Sequence, residues 1–296
     1  MARIYLMLIA LALSPVLYAQ IVNDSLSSDD EYGGMEASIN VGAYFGNKNT
    51  ANFYNGAGNE DGMNSADKII DNVHYLNMIN DVLEQNGYRY PLEEGKYHTE
   101  YPTNMTYLPS IYAGLTGRYW LSRKLGISVS MNYSKLVSND NFVIYNDNDI
   151  PPSNKEDQYV IGTIMGQEDR INIDIGLINS FYISDKMRFI FETGFNLNNT
   201  VVQANKIEIY GLVLDIMYKG PGDYVPGGNV QQYEFRQGGI GYGAYMTPGL
   251  QFNFSESVSI DLVSQFYYSY IDLEHYSNWG FQWVPFLRFN FTRLFF

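Results

Sequence analysis

The groups in this sequence that could carry out catalysis are histidine, serine and carboxylate side chains, because there is no cysteine. Its three histidines are His74, His98 and His275. Glu274 precedes His275, and a carboxylate beside an imidazole could support hydrolysis. No nucleophile motif, metalloprotease signature or phosphate-binding glycine loop accompanies the pair. We therefore expect no enzymatic activity and no cofactor, with a hydrolase as the less favoured alternative.

A run of oxygen-bearing side chains offers a second kind of chemistry, which is cation binding. Residues 146–149 read Asn-Asp-Asn-Asp and carry the oxygen ligands that calcium prefers, but they lack the glycine and distal glutamate of an EF-hand loop. A metal ion at Asp147 and Asp149 is one interpretation. A solvated acidic surface is the other.

Composition excludes several classes of protein. Lys and Arg number 18 against 32 Asp and Glu, a net charge of −14, so a nucleic acid is a poor partner. Hydrophobic residues make up 46% of the chain and aromatic residues 16%, which is too much apolar surface for a disordered chain. The missing cysteines exclude a disulfide scaffold and thiolate metal sites.

The start of the chain has the pattern of a secretory signal peptide. A basic Arg3 precedes an apolar run at 4–13, and the small residue Ala19 fits a cleavage site. A retained membrane anchor is the alternative, although the run is shorter than the ~20 residues of a spanning helix. We expect a signal peptide at 1–19 and a periplasmic segment at 20–34.

Beyond this segment, apolar and polar residues alternate with period two, which predicts strands with one apolar and one polar face. Most of the runs are long enough for the ~9–11 residues of a membrane-spanning strand. The predicted strands lie at 35–46, 107–121, 127–134, 171–183, 187–197, 240–254, 258–270 and 281–292.

The connections between these strands alternate between short and long. Turns of about three residues follow 121, 183 and 254, whereas long connections are predicted at 47–106, 138–169, 198–237 and 271–280. This asymmetry is typical of an outer-membrane barrel with short periplasmic turns and long outer loops. The sequence therefore predicts an all-β fold, an eight-stranded antiparallel up-and-down transmembrane β-barrel over 35–296. Two short runs, 206–210 and 212–218, could form a hairpin above the membrane or raise the count to ten strands.

The long connections have features of their own. Segment 47–106 holds nine acidic against four basic residues, and 138–169 holds seven against one. Ser65 could cap a helix over 66–85 with Gly87 just past its end. The apolar stripe of this helix could cover the barrel mouth, lie on the membrane or bind a partner.

Aromatic residues gather near the strand ends, where they predict girdles at the two bilayer interfaces. By the short turns these are Tyr119, Trp120, Phe181, Tyr182, Phe252 and Phe254, and toward the long loops Tyr44, Tyr107, Tyr133, Tyr268, Tyr270 and Trp283.

The polar faces carry charges that would point into the barrel. An eight-stranded barrel is only wide enough for side chains to fill, and buried charges must pair. We expect an ion-pair plug in the lumen, with a gated proton or ion path as the alternative. Its members would be Glu36, Arg118, Asp174, Arg188, Glu192, Asp261 and Arg288.

The C-terminal strand, with Phe289 and Phe291 on one face and Phe296 at its end, resembles the final strand of outer-membrane barrels. The segments 284–287 and 247–252 look like those of porin-like outer-membrane barrel proteins of the Bacteroidota. This resemblance implies that the barrel-assembly machinery reads the terminal aromatic residues, and it implies little about activity.

Taken together, these patterns predict an integral outer-membrane scaffold whose acidic loops contact cell-surface or envelope partners. Expected partners are outer-membrane lipid and lipopolysaccharide, the barrel-assembly machinery and an unknown surface or envelope protein. A divalent cation could bridge lipopolysaccharide to the loop carboxylates. A narrow porin-like channel for small solutes or hydrophobic ligands is the alternative function.

Overall fold

The computed structural model describes residues 34–58, 64–151, 157–217, 237–255, 257–273, 276 and 278–292. The strands are β1 (Gly34–Tyr44), β2 (Tyr97–Glu100), β3 (Ser110–Trp120), β4 (Leu125–Asn146), β5 (Tyr159–Ser184), β6 (Met187–Ile209), β7 (Leu212–Asp215), β8 (Gly238–Asn253), β9 (Val258–Ile271) and β10 (Asn278–Thr292). The helices are α1 (Lys48–Ala51), α2 (Asp67–Ile70) and α3 (Val73–Gln85), and a 3-10 turn covers Asn52–Tyr54. In these ranges no helix is sufficiently long and apolar to cross a membrane.

Eight of the strands form a closed antiparallel barrel. Each pairs with its neighbours in the order β1, β3, β4, β5, β6, β8, β9, β10, and β10 pairs with β1 to close the ring. The short strands β2 and β7 lie outside this ring and pair with β4 and β6. The predicted fold class is therefore confirmed, with eight barrel strands and not ten.

The period-two pattern places polar residues inside the barrel and apolar residues outside. On β1, Ser38 and Asn40 are buried in the lumen, whereas Ile39 and Val41 are exposed on the outer surface. The same alternation holds on β5, where Asn172 and Asp174 point inward. Closure of the ring pairs its strands with each other on both sides, and the exposed apolar band around it suits a hydrocarbon environment.

Strands β4, β5 and β6 are much longer than a membrane requires, at 22, 26 and 23 residues. Their outer parts continue through segments that the sequence predicted as loops at 138–169 and 198–237. The loop bounds are thus corrected: β4 runs to Asn146, β5 begins at Tyr159 and β6 ends at Ile209.

The two faces of these strands exchange their polarity along the way. In the outer parts the inward residues are apolar, such as Phe142 on β4, Ile164 on β5 and Ile207 on β6. On β6 a bulge contributes to the exchange, since Gln203 is passed over in the pairing with β5. We call the outer parts of β4, β5 and β6, together with β2 and β7, the outer sheet.

Of the two interpretations of the runs 206–210 and 212–218, the hairpin is the one observed over the described residues, because β7 folds back onto the end of β6 through Tyr210 and Gly211. Both turn residues have a positive φ, of 47° and 85°. This is the conformation that a two-residue hairpin turn needs and that glycine adopts without strain.

The predicted helix over 66–85 is instead two helices, α2 and α3. Asn72 between them is extended, and its side chain accepts a hydrogen bond from the backbone N–H of His74. This local bond caps α3 and ends the helical path from α2. The Ser65 cap is also wrong, because Ala66 occupies that position without a side-chain bond. Gly87, at a φ of 91°, follows α3 as predicted.

Candidate functional site

A network of buried ion pairs fills the lower lumen, which is the part of the barrel interior nearer the short turns. Arg118 donates to Glu36 at 2.7 Å and to Asp261 at 2.9 Å, and its guanidinium also contacts Glu192. Arg288 binds Glu192 as well. These five residues, which we call the lower network, come from β1, β3, β6, β9 and β10, so the network ties distant parts of the ring together across the lumen.

The positions of the lower-network residues follow from the pairing of their strands. Glu36 lies directly opposite Arg118, and Asp261 lies opposite Arg288, so each arginine has a carboxylate on the adjacent strand. All five residues are buried. Charges that have lost water are stabilised here by opposite charges and by neutral donors, such as Asn290, which donates to Asp261 at 2.6 Å.

The structure gives the other two predicted members of the plug different surroundings. Asp174 is buried without an ion pair in the described part of the chain, and four neutral groups donate to it. The donors are Asn196 at 2.7 Å, Tyr267 at 2.8 Å, Gln265 at 3.0 Å and Ser130 at 3.2 Å. Arg188 is half-buried near the short turns, and no ion pair between described residues includes it.

A second ion pair closes the lumen nearer its outer end, and the sequence analysis missed it. Glu168 and Arg170 on β5 pair with each other, and Arg170 also binds Tyr44 at 3.1 Å and Gln282 at 2.5 Å. The available signal was the period-two alternation, because Glu168 and Arg170 continue the inward face of Asn172 and Asp174 toward the N-terminus of β5. We call Glu168, Arg170, Tyr44 and Gln282 the upper network.

The connection between β1 and β3 folds into the barrel mouth above the upper network. Tyr54 of the 3-10 turn donates to Glu168 at 2.8 Å, and Tyr107 donates to the same oxygen at 3.0 Å. Gly166 makes room for this contact, since a Cβ there would lie 2.0 Å from the Tyr54 ring. We call residues 47–58, 64–96 and 101–109 the cap.

The cap continues upward as an apolar core against the outer sheet. Ile69 and Ile70 of α2 and Ile79 of α3 belong to one buried cluster with the inward residues of β4 and β5. Of the three roles considered for the apolar helix stripe, packing over the barrel mouth is therefore the one observed. Tyr101 stacks on Phe142 with ring centroids 6.0 Å apart, and its hydroxyl donates to Asp67 at 2.5 Å.

The hydroxyls of Tyr97 and Tyr101 are held in their neutral form. Burial, followed by the hydrogen bond to Asp67, raises the pKa of Tyr101 above its ordinary value. The pKa of Tyr97 rises for the same reasons, with Asp71 as the acceptor. Both hydroxyls thus act as donors that fix α2 against β2.

The candidate cation ligands are engaged in other contacts. Asp147 binds His98 at 3.0 Å, and the side-chain amide of Asn146 donates to the carbonyl of Tyr90 at 3.1 Å. Among the described residues no group of three or more histidine, aspartate or glutamate side chains could hold a metal ion. Asp149 is exposed and joins no such group. His74 lies on α3, and the pair Glu274–His275 lies outside the described residues.

The aromatic positions are partly corrected. Tyr133, Trp283 and Tyr182 are exposed on the outer surface, as a girdle requires. Tyr44, Tyr107 and Trp120 instead point inward and are buried. The hydroxyl of Tyr44 binds the upper network, and that of Tyr107 donates to Glu168.

Of the predicted assembly signal, Phe289 and Phe291 lie half-buried on the outward face of β10. Phe296 lies outside the described residues.

The closed ring, the apolar outer band and the polar lumen together decide the class of protein. The chain is a transmembrane β-barrel of the outer-membrane type. No protein-family model matches it, and no curated protein matches it either.

Three solved structures to which the chain is similar are the following. Neisserial surface protein A is 8% identical with a TM-score of 0.42, covering 88% of this chain and 99% of its own. Ail of Yersinia pestis is 12% identical with a TM-score of 0.32, covering 86% and 98%. OprG of Pseudomonas aeruginosa is 7% identical with a TM-score of 0.37, covering 87% and 95%.

Proposed function

We propose that this protein is a non-conducting, non-enzymatic outer-membrane scaffold that displays a rigid, acidic surface to partners at the cell surface. In this proposal the chain is exported by a cleaved signal peptide at 1–19, residues 20–34 lie in the periplasm, and the assembly machinery recognises Phe289, Phe291 and Phe296. Its porin-like relatives would be those of the Bacteroidota. Lipopolysaccharide and a surface or envelope protein are the expected partners.

The observation that carries the proposal is the double closure of the lumen. A solute would have to pass the upper network with Tyr54 and Tyr107 above it, and then the lower network. Opening the lower network requires separating buried, paired charges, which costs several kcal/mol. We infer that the barrel supports the outer sheet and does not transport solutes.

Conductance of the folded barrel in planar bilayers tests this proposal. We expect no resolved single-channel steps from the wild type. Insertion is verified on the same sample by the heat-dependent mobility of the folded barrel in gels. A variant that combines Arg118→Gly, Arg288→Gly and Glu192→Gly with Arg170→Gly and Tyr54→Gly serves as the positive control, because it removes groups from both closures of the lumen. Regular steps from the wild type would instead establish the narrow channel.

A further inference from the structure

We propose that the outward surface of the outer sheet is a docking site for a protein that presents arginine and lysine side chains. This surface consists of Val143, Tyr145, Tyr159, Ile161, Tyr210 and Val213, and we call it the outer face. The inference rests on the proposed scaffold function and names the chemistry of its partner.

The exchange of polarity puts the outer face above the lipid. On the membrane-facing part of β5 the outward residues are Ile173, Ile175 and Leu177. Further out, the outward residues of the adjacent strands are polar and bonded to each other: Asp169 accepts from Tyr133 and from Gln203, each at 2.8 Å. A hydrogen-bonded carboxylate of this kind belongs at the headgroup level, so the residues beyond it stand in water.

The outer face is nevertheless apolar and aromatic at its centre. Tyr159 is 45% exposed, Ile161 53%, Tyr210 48% and Val213 52%. They lie on adjacent rows of β5, β6 and β7, because Thr163 pairs with Glu208 and Glu208 pairs with Val213. Contiguous exposed apolar surface with tyrosines is typical of a protein-binding site.

Charge around this centre indicates the partner. Glu100, Glu208, Asp215 and Asp147 are exposed on the same side of the outer sheet; Glu100 also accepts from Tyr145, and Asp147 binds His98. Beyond Asp169, Lys206 is the one lysine or arginine at the described outward positions of these strands. Lys206 lies directly opposite Asp215. Guanidinium groups stack on tyrosine rings and pair with carboxylates, so arginine matches both parts of this surface.

The backbone of the outer face is already ordered. Continuous pairing joins Tyr97–Glu100 of β2 to β4, β4 to β5 as far as Tyr159, and β6 to β7. The opposite side of the sheet packs on the cap. A partner therefore meets a surface that loses little conformational entropy on binding.

Binding of a nona-arginine peptide to the full-length barrel in lipid nanodiscs tests the site. We expect the double variant Tyr159→Ala/Ile161→Ala to weaken binding about tenfold, as loss of two central contacts does. Glu100→Gln/Glu208→Gln should weaken it about fivefold and reduce its salt dependence. The matched controls are Ile173→Ala on the lipid-facing part of β5 and Asp185→Asn in a short turn at the other end of the barrel, and both should bind like wild type.

Two results would overturn the proposal. One is unchanged peptide binding in both double variants, which would mean that the acidic chain attracts the peptide without this surface. The other is tighter binding of neutral maltoheptaose than of nona-arginine at the outer face. Neither outcome would affect the conductance test, so the docking site and the scaffold function fail separately.

The position of the outer face above the lipid is tested with single-cysteine variants, since the wild type has no cysteine. We expect a fluorophore on Ile161→Cys to be quenched by aqueous iodide and one on Ile173→Cys by nitroxide lipids. Equal quenching of both by the lipid would place the outer face in the membrane and overturn the proposal.

Discussion

Replacing Arg118 by methionine should destabilise the barrel strongly. Arg118 is fully buried and contacts three carboxylates, those of Glu36, Glu192 and Asp261. In Arg118→Met these carboxylates share only Arg288, which binds Glu192 and lies 3.8 Å from Asp261. Removing one partner of a buried ion pair costs about 3–5 kcal/mol, because the remaining charge stays buried and unpaired.

The free energy of unfolding can be measured by guanidinium chloride titration of the barrel folded in lipid vesicles, followed by tryptophan fluorescence. A loss of that size lowers the midpoint by roughly 1 M, given a slope of about 3–4 kcal/mol per M. The matched control Arg123→Met removes an exposed arginine of a short turn and should change stability by less than about 0.5 kcal/mol.

The second variant is the double substitution Arg118→Met/Glu36→Gln, which also removes the carboxylate that Arg118→Met leaves without a cation. We expect it to recover at least about 1 kcal/mol of the loss, the coupling energy of two residues in contact. A midpoint for Arg118→Met equal to that of wild type, or no recovery in the double variant, would refute the reasoning about the lower network.

Two further predictions concern the cap. Gly166→Ala should displace the 3-10 turn from the barrel mouth, because its Cβ would lie 2.0 Å from the Tyr54 ring. Limited proteolysis should then cut residues 48–58 faster than in the wild type. The control variant Gly117→Ala should leave the rate unchanged, because its Cβ would meet nothing within 4 Å. Equal rates in the two variants would contradict the described packing of Tyr54. The stability of the cap should fall as the pH rises above about 10, which is the ordinary pKa of tyrosine. The pKa of Tyr101 is raised in the folded protein, so above this pH the folded state keeps a proton that the unfolded chain has lost. Tyr101→Phe should reduce this alkaline loss in a pH series of the same proteolysis assay, and an unchanged pH profile would argue against the bond to Asp67.

The membrane-spanning half of the fold was predictable from sequence because one physical constraint acts on each residue there. Residues such as Ile173 and Asp174 face lipid and lumen in strict alternation, and that alternation is visible in the sequence. The hairpin at Tyr210 and Gly211 was predictable for a different reason, since its two short runs alternate regularly about a central glycine.

The outer halves of β4, β5 and β6 were mistaken for loops because the constraint reverses there. Lys135 and Asp169 occupy outward positions that are apolar closer to the short turns, so the apolar face seems to end. The strands continue with Phe142 and Ile164 facing the cap instead. A polarity exchange within one strand looks like the end of that strand when only the apolar face is followed.

The candidate site was predictable only in part, because its partners are far apart in sequence. The period-two alternation assigns the five residues of the lower network to the lumen, and the structure brings them together. The same alternation assigns Glu168 and Arg170 to the lumen, but their contact with Tyr44 was missed, since Tyr44 was expected at the membrane interface and lies 126 positions from Arg170. The position of an aromatic residue near a strand end does not tell which face it takes.

The assignment of this chain as a transmembrane barrel depends on lipid covering the outward face of the barrel and on a lumen that excludes lipid. The most direct measurement is a nitroxide-lipid quenching profile over single-cysteine variants at positions 171–177 of β5. We predict strong quenching at Ile171, Ile173, Ile175 and Leu177 and weak quenching at Asn172, Asp174 and Gly176, a profile with period two. A profile without that alternation, or with the even positions quenched more strongly, would contradict the account.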